Sequence, residues 1–138
     1  RNVTGVQTCA LPICRAMLDL GFTPDVISSD VHLYSADGPA YDVLVTMSKF
    51  LCLGLPLVDV IRAATAAPAA AMRRVDIGTL APGACGDAVL LEIKKGPVVY
   101  VDAIGQEMKA DQRLVPRGIV LGGKWWSDGM APTLKGKA

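Results

Sequence analysis

The chain has 138 residues, enough for one domain of ordinary size or for pieces of two. Hydrophobic residues make up 51% and aromatic residues only 5%, so Ala, Val and Leu supply most of the apolar content, a pattern typical of buried α/β layers. The 14 basic and 13 acidic residues are spread along the chain and leave a net charge of +1, which argues against nucleic acid and against a membrane surface as partners.

The opening stretch, RNVTGVQTCALPIC, differs in character from the rest of the chain. Its Arg1 is followed by polar residues and not by the continuous apolar run of a signal peptide, and its two cysteines lack the partner ligands that a zinc site needs. Residues 3–13 resemble, at every position, the in-frame translation of a common sequencing-library adapter. We therefore expect residues 1–14 to be an adapter-derived artefact outside the fold, and residues 15–138 to be the C-terminal part of a longer protein.

The four cysteines form no C-x-x-C pair, and the alanine- and leucine-rich composition does not resemble a disulfide-stapled secreted scaffold. We expect reduced thiols in a cytoplasmic protein. Apolar runs such as AATAAPAAAM are shorter than a bilayer span and contain proline, which argues against a transmembrane helix.

Residues 15–22, RAMLDLGF, have the spacing of a helix end, with Gly21 as its C-cap. Residues 23–30, TPDVISSD, predict a short buried strand. Its alternation places three residues on one side, namely Val26, Ser28 and Asp30. Two serines and a terminal aspartate are unusual in a strand that only packs, which indicates a functional site at its end. Residues 31–41 predict a loop with Asp-Gly-Pro as its turn sequence.

Two helical segments are predicted next. Residues 42–54 form the first, which ends at Gly54. Its apolar residues near one face are Val43, Met47, Phe50 and Leu51. Residues 55–74 form the second, but Pro68 interrupts the pattern, so a short separate helical turn is expected over 68–73.

Beyond residue 75 the hydrophobic period changes from helical to strand-like. Residues 87–93 and 97–103 predict two strands with a tight connection between them. Residues 107–126 predict two or three more short strands, with Pro116 indicating an edge or a bulge. This order predicts an α/β chain: the end of an α/β barrel, then a small β-sandwich and a disordered tail. The predicted bounds are 15–74, 75–126 and 127–138.

Three motifs in this order resemble the amidohydrolase superfamily. PDVISSDVH (24–32) resembles the last barrel strand, which carries the family's aspartate. VIRAATAAPAAAM (60–72) resembles the T-x-N-P-A helix, with Ala67 where Asn is usual. IGTLAPGACGDAVLLE (77–92) resembles the G-x-L-x-P-G-x-x-A-D-L-V return strand, with Gly86 where Ala is usual. Each motif is weak singly, but their order and spacing are specific.

Within the superfamily, SSDVHLYSADGPAYDVLVTMSKFL is most similar to the dihydroorotase-like amidohydrolase/deacetylase group. The resemblance implies a (β/α)8 barrel that hydrolyses a C–N (amide) or ester bond of a small acylated substrate through a metal-activated water, with one or two divalent ions, usually zinc. It also implies that Asp30 is a metal ligand and the general base that passes a proton to the leaving group. By its residue type alone, Asp30 also fits a helix N-cap.

The loop after Asp30 holds the candidate substrate-binding residues, which are His32, Ser35, Gly38 and Pro39. His32 fits a solvated loop histidine equally well. Cys52 and Cys85 are predicted to be small buried residues, since neither has a basic neighbour in sequence that would activate a thiol. Trp125 and Trp126 are predicted to cover the sandwich.

The chain contains one histidine, whereas the family's metal centre needs a His-x-His, a bridging lysine or glutamate and two further histidines. We therefore expect the parent protein to be the hydrolase and these 138 residues to be inactive alone. Association of the parent with further copies of itself is left open. One alternative is a dihydroorotase or another cyclic amidase on the same scaffold. Another, of a different class, is a non-catalytic β-sandwich interaction module without a metal.

Overall fold

The structure, a computed structural model, describes residues 11–29, 42–102 and 104–126. Within these ranges, helices precede a three-stranded antiparallel sheet of order β1-β2-β3. The elements are α1 (Leu11–Asp19), α2 (Val43–Cys52), α3 (Leu57–Ala64), α4 (Ala66–Ala71), β1 (Ala88–Val101), β2 (Glu107–Leu121) and β3 (Lys124–Trp125). The predicted α/β character is confirmed. The second sheet that a β-sandwich requires is not found among the described residues.

Helix α1 begins earlier than predicted. It includes Leu11 and Cys14, which are both buried in the core. Residues 11–14 are therefore packed with the rest of the chain, whereas the opening stretch was expected to lie outside the fold. Cys14 is disulfide-bonded, whereas Cys52 and Cys85 are free thiols, so the prediction of reduced thiols is wrong for Cys14. Cys85 is also exposed rather than buried. The adapter origin of the opening stretch stays a prediction.

The strand predicted over 23–30 is absent from residues 23–29, which are irregular. Among the described residues no strand lies alongside this segment to complete a ladder. The segment is instead held through Ile27, which is buried and donates its N–H to the Ala63 carbonyl of α3 at 2.8 Å.

Helix α2 begins directly after Asp42, whose carboxylate accepts the Val45 N–H at 2.8 Å and so caps the first turn. Met47 and Phe50 are buried as predicted, whereas Val43 is exposed. The face that α2 buries therefore lies toward the middle and the end of the helix, which is where it packs against β2.

The interruption in the second helical segment falls at Thr65, between α3 and α4, rather than at Pro68. Pro68 lies in the first turn of α4, where a backbone N–H has no partner within the helix. Proline therefore costs α4 no hydrogen bond, and the separate helical turn extends over Ala66–Ala71 instead of 68–73.

Three helices end in the same backbone motif. After α1, α2 and α4 a residue with positive φ is followed by one more residue, and both donate N–H groups to carbonyls of the last turn at 2.9–3.2 Å. These paired bonds define a Schellman motif. The left-handed residue is glycine after α1 (Gly21, φ 80°) and after α2 (Gly54, φ 102°), as the sequence predicts. After α4 it is Arg73, at φ 56°.

Replacing Arg73 with glycine is expected to raise the free energy of unfolding by about 1 kcal/mol, because a side chain strains the left-handed conformation. The greater freedom of glycine in the unfolded chain offsets part of the gain. Urea denaturation of the two proteins measures the difference. The matched control is Gly54→Ala, where an added Cβ meets nothing within 4 Å and only the backbone penalty acts, so stability should fall. A destabilised Arg73→Gly protein would contradict this account.

Strands β1 and β2 form one long hairpin whose register extends from Ala88↔Val120 to Val101↔Glu107. The two strands predicted over 87–93 and 97–103 are therefore a single strand, because Gly96 and Pro97 lie in an irregularity of the ladder rather than in a turn. A second irregularity places Leu91 opposite Pro116 and leaves Arg117 as the extra residue, which confirms the bulge predicted at Pro116.

The core lies between the helices and one face of the hairpin. It joins residues of α1, α2 and α3 to a residue of β2, so the two units predicted from the sequence share one hydrophobic cluster. The buried members are Leu11, Cys14, Ile27, Met47, Phe50, Leu53, Leu55, Val60, Ala63 and Leu114. Trp125 and Trp126 are about half exposed, contrary to the covering role predicted for them. No helix in the described part of the chain is long and apolar enough to cross a membrane.

Candidate functional site

All the site residues predicted from the sequence lie in the segment 30–41, outside the described residues; they are Asp30, His32, Ser35, Gly38 and Pro39. Their placement and roles stay predictions. The structure describes the two anchors of this segment. On one side the Ile27 N–H is bonded to α3, and on the other side Asp42 caps α2. Because α2 and α3 contribute to the same core, both ends of the candidate site are fixed to one packed unit.

The donor set of the described residues does not fit a metal ion. No group of three or more His, Cys, Asp or Glu side chains lies together within residues 11–29, 42–102 and 104–126. The chain's one histidine, His32, and the candidate ligand Asp30 lie outside these ranges. The described residues therefore do not form a metal centre by themselves.

The described residues bring together a set of buried polar side chains that sequence reasoning missed. These side chains connect α2 to the hairpin, and we call them the α2–sheet polar cluster. Its members are Ser48, Lys49, Tyr100 and Asp102. All four residues are buried. Burying a polar group is costly unless the group is hydrogen-bonded, so each of them needs a partner.

Ser48 joins α2 to β2. Only 1% of the residue is exposed, and its Oγ accepts the Leu114 N–H at 2.9 Å while donating to the Leu44 carbonyl at 2.6 Å. The Tyr100 hydroxyl and the Cys52 thiol both donate to the Gln112 carbonyl, at 3.0 Å and 3.4 Å. Side chains therefore satisfy the Leu114 N–H and the Gln112 carbonyl of β2.

Asp102 lies at the start of the β1–β2 turn and is 3% exposed. One carboxylate oxygen accepts the Leu11 N–H at 2.7 Å, and the other accepts those of Ile104 and Gln106 at 2.9 Å and 2.8 Å. Burial alone would raise the pKa of Asp102, but the three backbone donors, with the nearby Lys49, outweigh it and hold the pKa below its usual value. The carboxylate therefore ties the first residue of α1 to the hairpin.

Lys49 projects from α2 toward the same turn. Its Nζ donates to the Val101 carbonyl at 2.7 Å. Burial lowers the pKa of Lys49, and the charge of Asp102 opposes that shift. Lys49 and Asp102 thus lie at one end of the hairpin as opposite charges that partly compensate each other's burial.

We assign the α2–sheet polar cluster a structural role. Within the described part of the chain, no buried side-chain nitrogen or oxygen lacks a hydrogen-bond partner. The polar atoms of the cluster are therefore already engaged in hydrogen bonds that connect α2, α1 and the hairpin. The turn that Asp102 forms could have been predicted from the sequence. Asp102 lies at a strand end and Gly105 follows three residues later, a pattern that favours an Asx turn.

An open depression of about 370 Å³ lies beside the hairpin, lined by Cys52, Lys109, Ala110, Asp111 and Gln112. Burial raises the pKa of the Cys52 thiol, with a further contribution from the charge of Asp111. A raised pKa reduces the thiolate that would act as a nucleophile. The depression therefore does not provide an activated cysteine, in agreement with the sequence prediction for Cys52.

Comparison with known proteins relates the chain to hydrolases. It is 27% identical over 118 residues to a deacetylase of Brucella anthropi and 28% identical over 123 residues to a deacetylase of Agrobacterium fabrum, with 86% of this chain aligned in each case. A deacetylase of Enterococcus faecalis is 26% identical over 121 residues. The chain spans 29–33% of the length of these curated relatives. No family model matches the chain.

Solved structures give a consistent result. An adenine deaminase superposes with a TM-score of 0.81 at 25% identity, and a dihydroorotase with a TM-score of 0.73 at 26% identity. These alignments cover 86% and 84% of this chain but 32% of each neighbour. Together with the deacetylases, they support an amidohydrolase-like relationship, which agrees with the family resemblance in the sequence.

Proposed function

We propose that this chain is part of a metal-dependent hydrolase of the amidohydrolase type, which cleaves a C–N (amide) or ester bond of a small acylated substrate. The observation that carries the proposal is the similarity to deacetylases along 86% of the chain, the greater part of its length. Because the chain spans about a third or less of those relatives, the activity belongs to the whole protein, and we expect the 138 residues alone to be inactive.

Within this proposal, the segment 30–41 contributes to the active site, and residues 15–74 belong to the end of a (β/α)8 barrel. Catalytic groups of such barrels lie at the C-terminal ends of strands and in the loops that follow them. The family resemblance of residues 24–32 implies this position for Asp30, although residues 23–29 are irregular in the structure. Asp30 would bind a divalent metal, zinc in the first instance, and take up the proton of the attacking water. His32, Ser35, Gly38 and Pro39 would contact the substrate. The metal would supply polarisation of the scissile carbonyl and a water that ionises near neutral pH.

A cyclic amide is the second candidate substrate class. The observation in its favour is the dihydroorotase among the structural neighbours, at a TM-score of 0.73. A linear and a cyclic amide present the same kind of carbonyl to the attacking water. The residues that bind the rest of the substrate would therefore decide between the two substrate classes. We rank the linear acyl substrate first because three curated relatives are named deacetylases.

The test uses the full-length protein that contains this chain. Asp30→Ala is expected to lower kcat for hydrolysis of an N-acetyl amino acid by at least about 100-fold, since a group that transfers protons contributes that much or more. Acetate release measures the rate, and the metal content of the purified protein shows whether Asp30 also binds the ion. Ring opening of dihydroorotate, measured as the disappearance of the cyclic amide because this reaction releases no acetate, separates the two substrate classes.

The matched control is Asp25→Ala, which removes an exposed carboxylate from the same stretch of chain and should leave kcat unchanged. Wild-type activity in the Asp30→Ala protein would remove Asp30 from the mechanism. A full-length protein that hydrolyses neither substrate class and binds no metal would instead favour the non-catalytic alternative.

A further inference from the structure

Asp42 fixes the point at which the chain enters α2 after the segment 30–41. Its backbone is extended, at φ −157° and ψ 173°, whereas the next residue is already helical. Its carboxylate accepts the Val45 N–H at 2.8 Å, and its own carbonyl accepts the Thr46 N–H at 3.4 Å. The side chain and the main chain of Asp42 therefore both bond to the first turn of α2, which fixes the direction from which the chain arrives.

A side-chain cap is present at α2 but not at the two helices that follow it. The structure describes the starts of α3 and α4, and neither has a hydrogen bond from a capping side chain. Leu53 and Leu55 are buried just before α3, and Thr65 alone separates α4 from α3. Packing therefore fixes these two starts. At α2 the first residue, Val43, is exposed, and the Asp42 cap takes that role instead.

Beyond its first turn, α2 is held to the hairpin by buried hydrogen bonds. Ser48 accepts the Leu114 N–H, and Lys49 donates to the Val101 carbonyl. These bonds fix the body of the helix, and the cap extends the fixed part to Asp42. The chain immediately before Asp42 is thereby tied to the hairpin through α2.

The candidate residues of the segment 30–41 divide between its two anchors. Asp30 lies three residues after Ile27, whose N–H bonds to α3, and Pro39 lies three residues before Asp42. Three residues of chain extend over at most about 11 Å, so each anchor acts mainly on the candidate residues next to it. The Asp42 cap therefore bears on the end predicted to contact the substrate. The Ile27 bond bears on the end that holds the predicted metal ligand.

We propose that Asp42 is a positioning residue for substrate binding, whose cap of α2 holds Gly38 and Pro39 where the substrate meets them. The inference rests on the proposed function, since it gives Asp42 a part in the binding step of that reaction. Without the cap, fewer molecules keep this arrangement, and the apparent affinity for substrate falls in proportion to the fraction that do. Metal binding and proton transfer by Asp30, beside the other anchor, are expected to stay unchanged.

The experiment measures kcat and KM of the full-length protein for an N-acetyl amino acid, with acetate release as the signal. Asp42→Ala is expected to raise KM about fivefold, the factor that corresponds to the typical energy of an N-cap hydrogen bond. The kcat and the metal content should not change. Asp42→Asn keeps an oxygen acceptor at the same position without the charge, so it should restore the wild-type KM. A purely structural role would instead reduce the folded fraction, which lowers the apparent kcat and leaves KM as it is.

The matched control is Asp59→Ala. Asp59 lies in the first turn of α3, where it forms an ion pair with Arg62. Because α3 has no side-chain cap, this change removes a negative charge from the start of a helix without removing a cap. The KM of this variant should equal that of the wild type.

An unchanged KM in the Asp42→Ala protein would overturn the inference and leave the proposed function intact, because the wild type would still hydrolyse the substrate. A raised KM that Asp42→Asn does not correct would overturn it equally, since the carboxylate would then act through its charge. A loss of metal in Asp42→Ala would place the effect at Asp30 and not at the substrate, which also contradicts the inference.

A wild-type protein that hydrolyses no substrate would remove the proposed function and this inference with it. If Asp42→Ala fails to fold, as judged by circular dichroism, Asp42→Gly takes its place. Glycine lacks the side-chain acceptor but is a favourable N-cap residue, so the same rise in KM is expected.

Discussion

Replacing Asp102 with alanine is expected to lower the free energy of unfolding by about 3 kcal/mol. The carboxylate accepts backbone N–H groups from Leu11, Ile104 and Gln106, and all three would lose this acceptor. Its loss also removes a charge opposite to that of Lys49 from the end of the hairpin. Urea denaturation at pH 7 measures the change.

The control for this prediction is Asp87→Ala. The Asp87 carboxylate also accepts a backbone N–H, that of Gly122 at 2.7 Å, but it is exposed, so water replaces it at low cost. We expect a loss below about 1 kcal/mol there, since an exposed group left without its partner is solvated. Equal losses in the two variants would show that burial of Asp102 contributes little.

The same residue gives a pH dependence with a defined sign. The folded state holds the pKa of Asp102 below the value of 3.8 that it has when unperturbed. Its contribution to stability is therefore complete above that value and is lost as the pH falls through the lower, folded pKa. The stability difference between wild type and Asp102→Asn should shrink as the pH is lowered from 7 toward 2. A difference that stays constant would mean that the ionised form is not the stabilising one.

Replacing Ser48 with alanine is expected to cost about 2 kcal/mol, the second-largest effect that we predict on stability. The substitution removes a hydroxyl of negligible volume from a residue that is 1% exposed, but it leaves the Leu114 N–H buried without an acceptor. Alanine's better helix propensity recovers only a few tenths of a kcal/mol. Thermal or urea unfolding monitored by circular dichroism provides the measurement.

The matched control is Thr65→Ala. The Thr65 hydroxyl makes the same type of bond to a carbonyl four residues earlier, at 2.7 Å from Ile61, but it is exposed and accepts no bond from the sheet. Its removal should change stability by no more than about 0.5 kcal/mol. A similar cost for both variants would indicate that the Ser48 bond to its own helix, and not the one to β2, is what matters.

The candidate site was predictable from the sequence only through family resemblance. The polar end of PDVISSD and the residues after it indicated chemistry, and the comparisons support the relationship on which the role of Asp30 depends. The residues themselves lie outside the described ranges. The role of Asp30 is therefore tested by measuring the activity and the metal content of the Asp30→Ala protein. No local pattern could have shown how that segment is anchored, because the bond from Ile27 to Ala63 joins residues that are far apart in sequence.

The sequence by itself determined the features that depend on neighbouring residues. Gly21 and Gly54 end their helices because glycine adopts positive φ without strain, and Pro116 produces a bulge because it has no N–H to give to a ladder. The tertiary structure alone decided the irregular course of 23–29 and the merging of two predicted strands into β1. It also decided the burial of Ser48, Lys49 and Asp102, because their hydrogen-bond partners come from distant segments of the chain. Burial makes a polar side chain costly and a partner removes that cost, so neither can be read from the residue's neighbours in sequence.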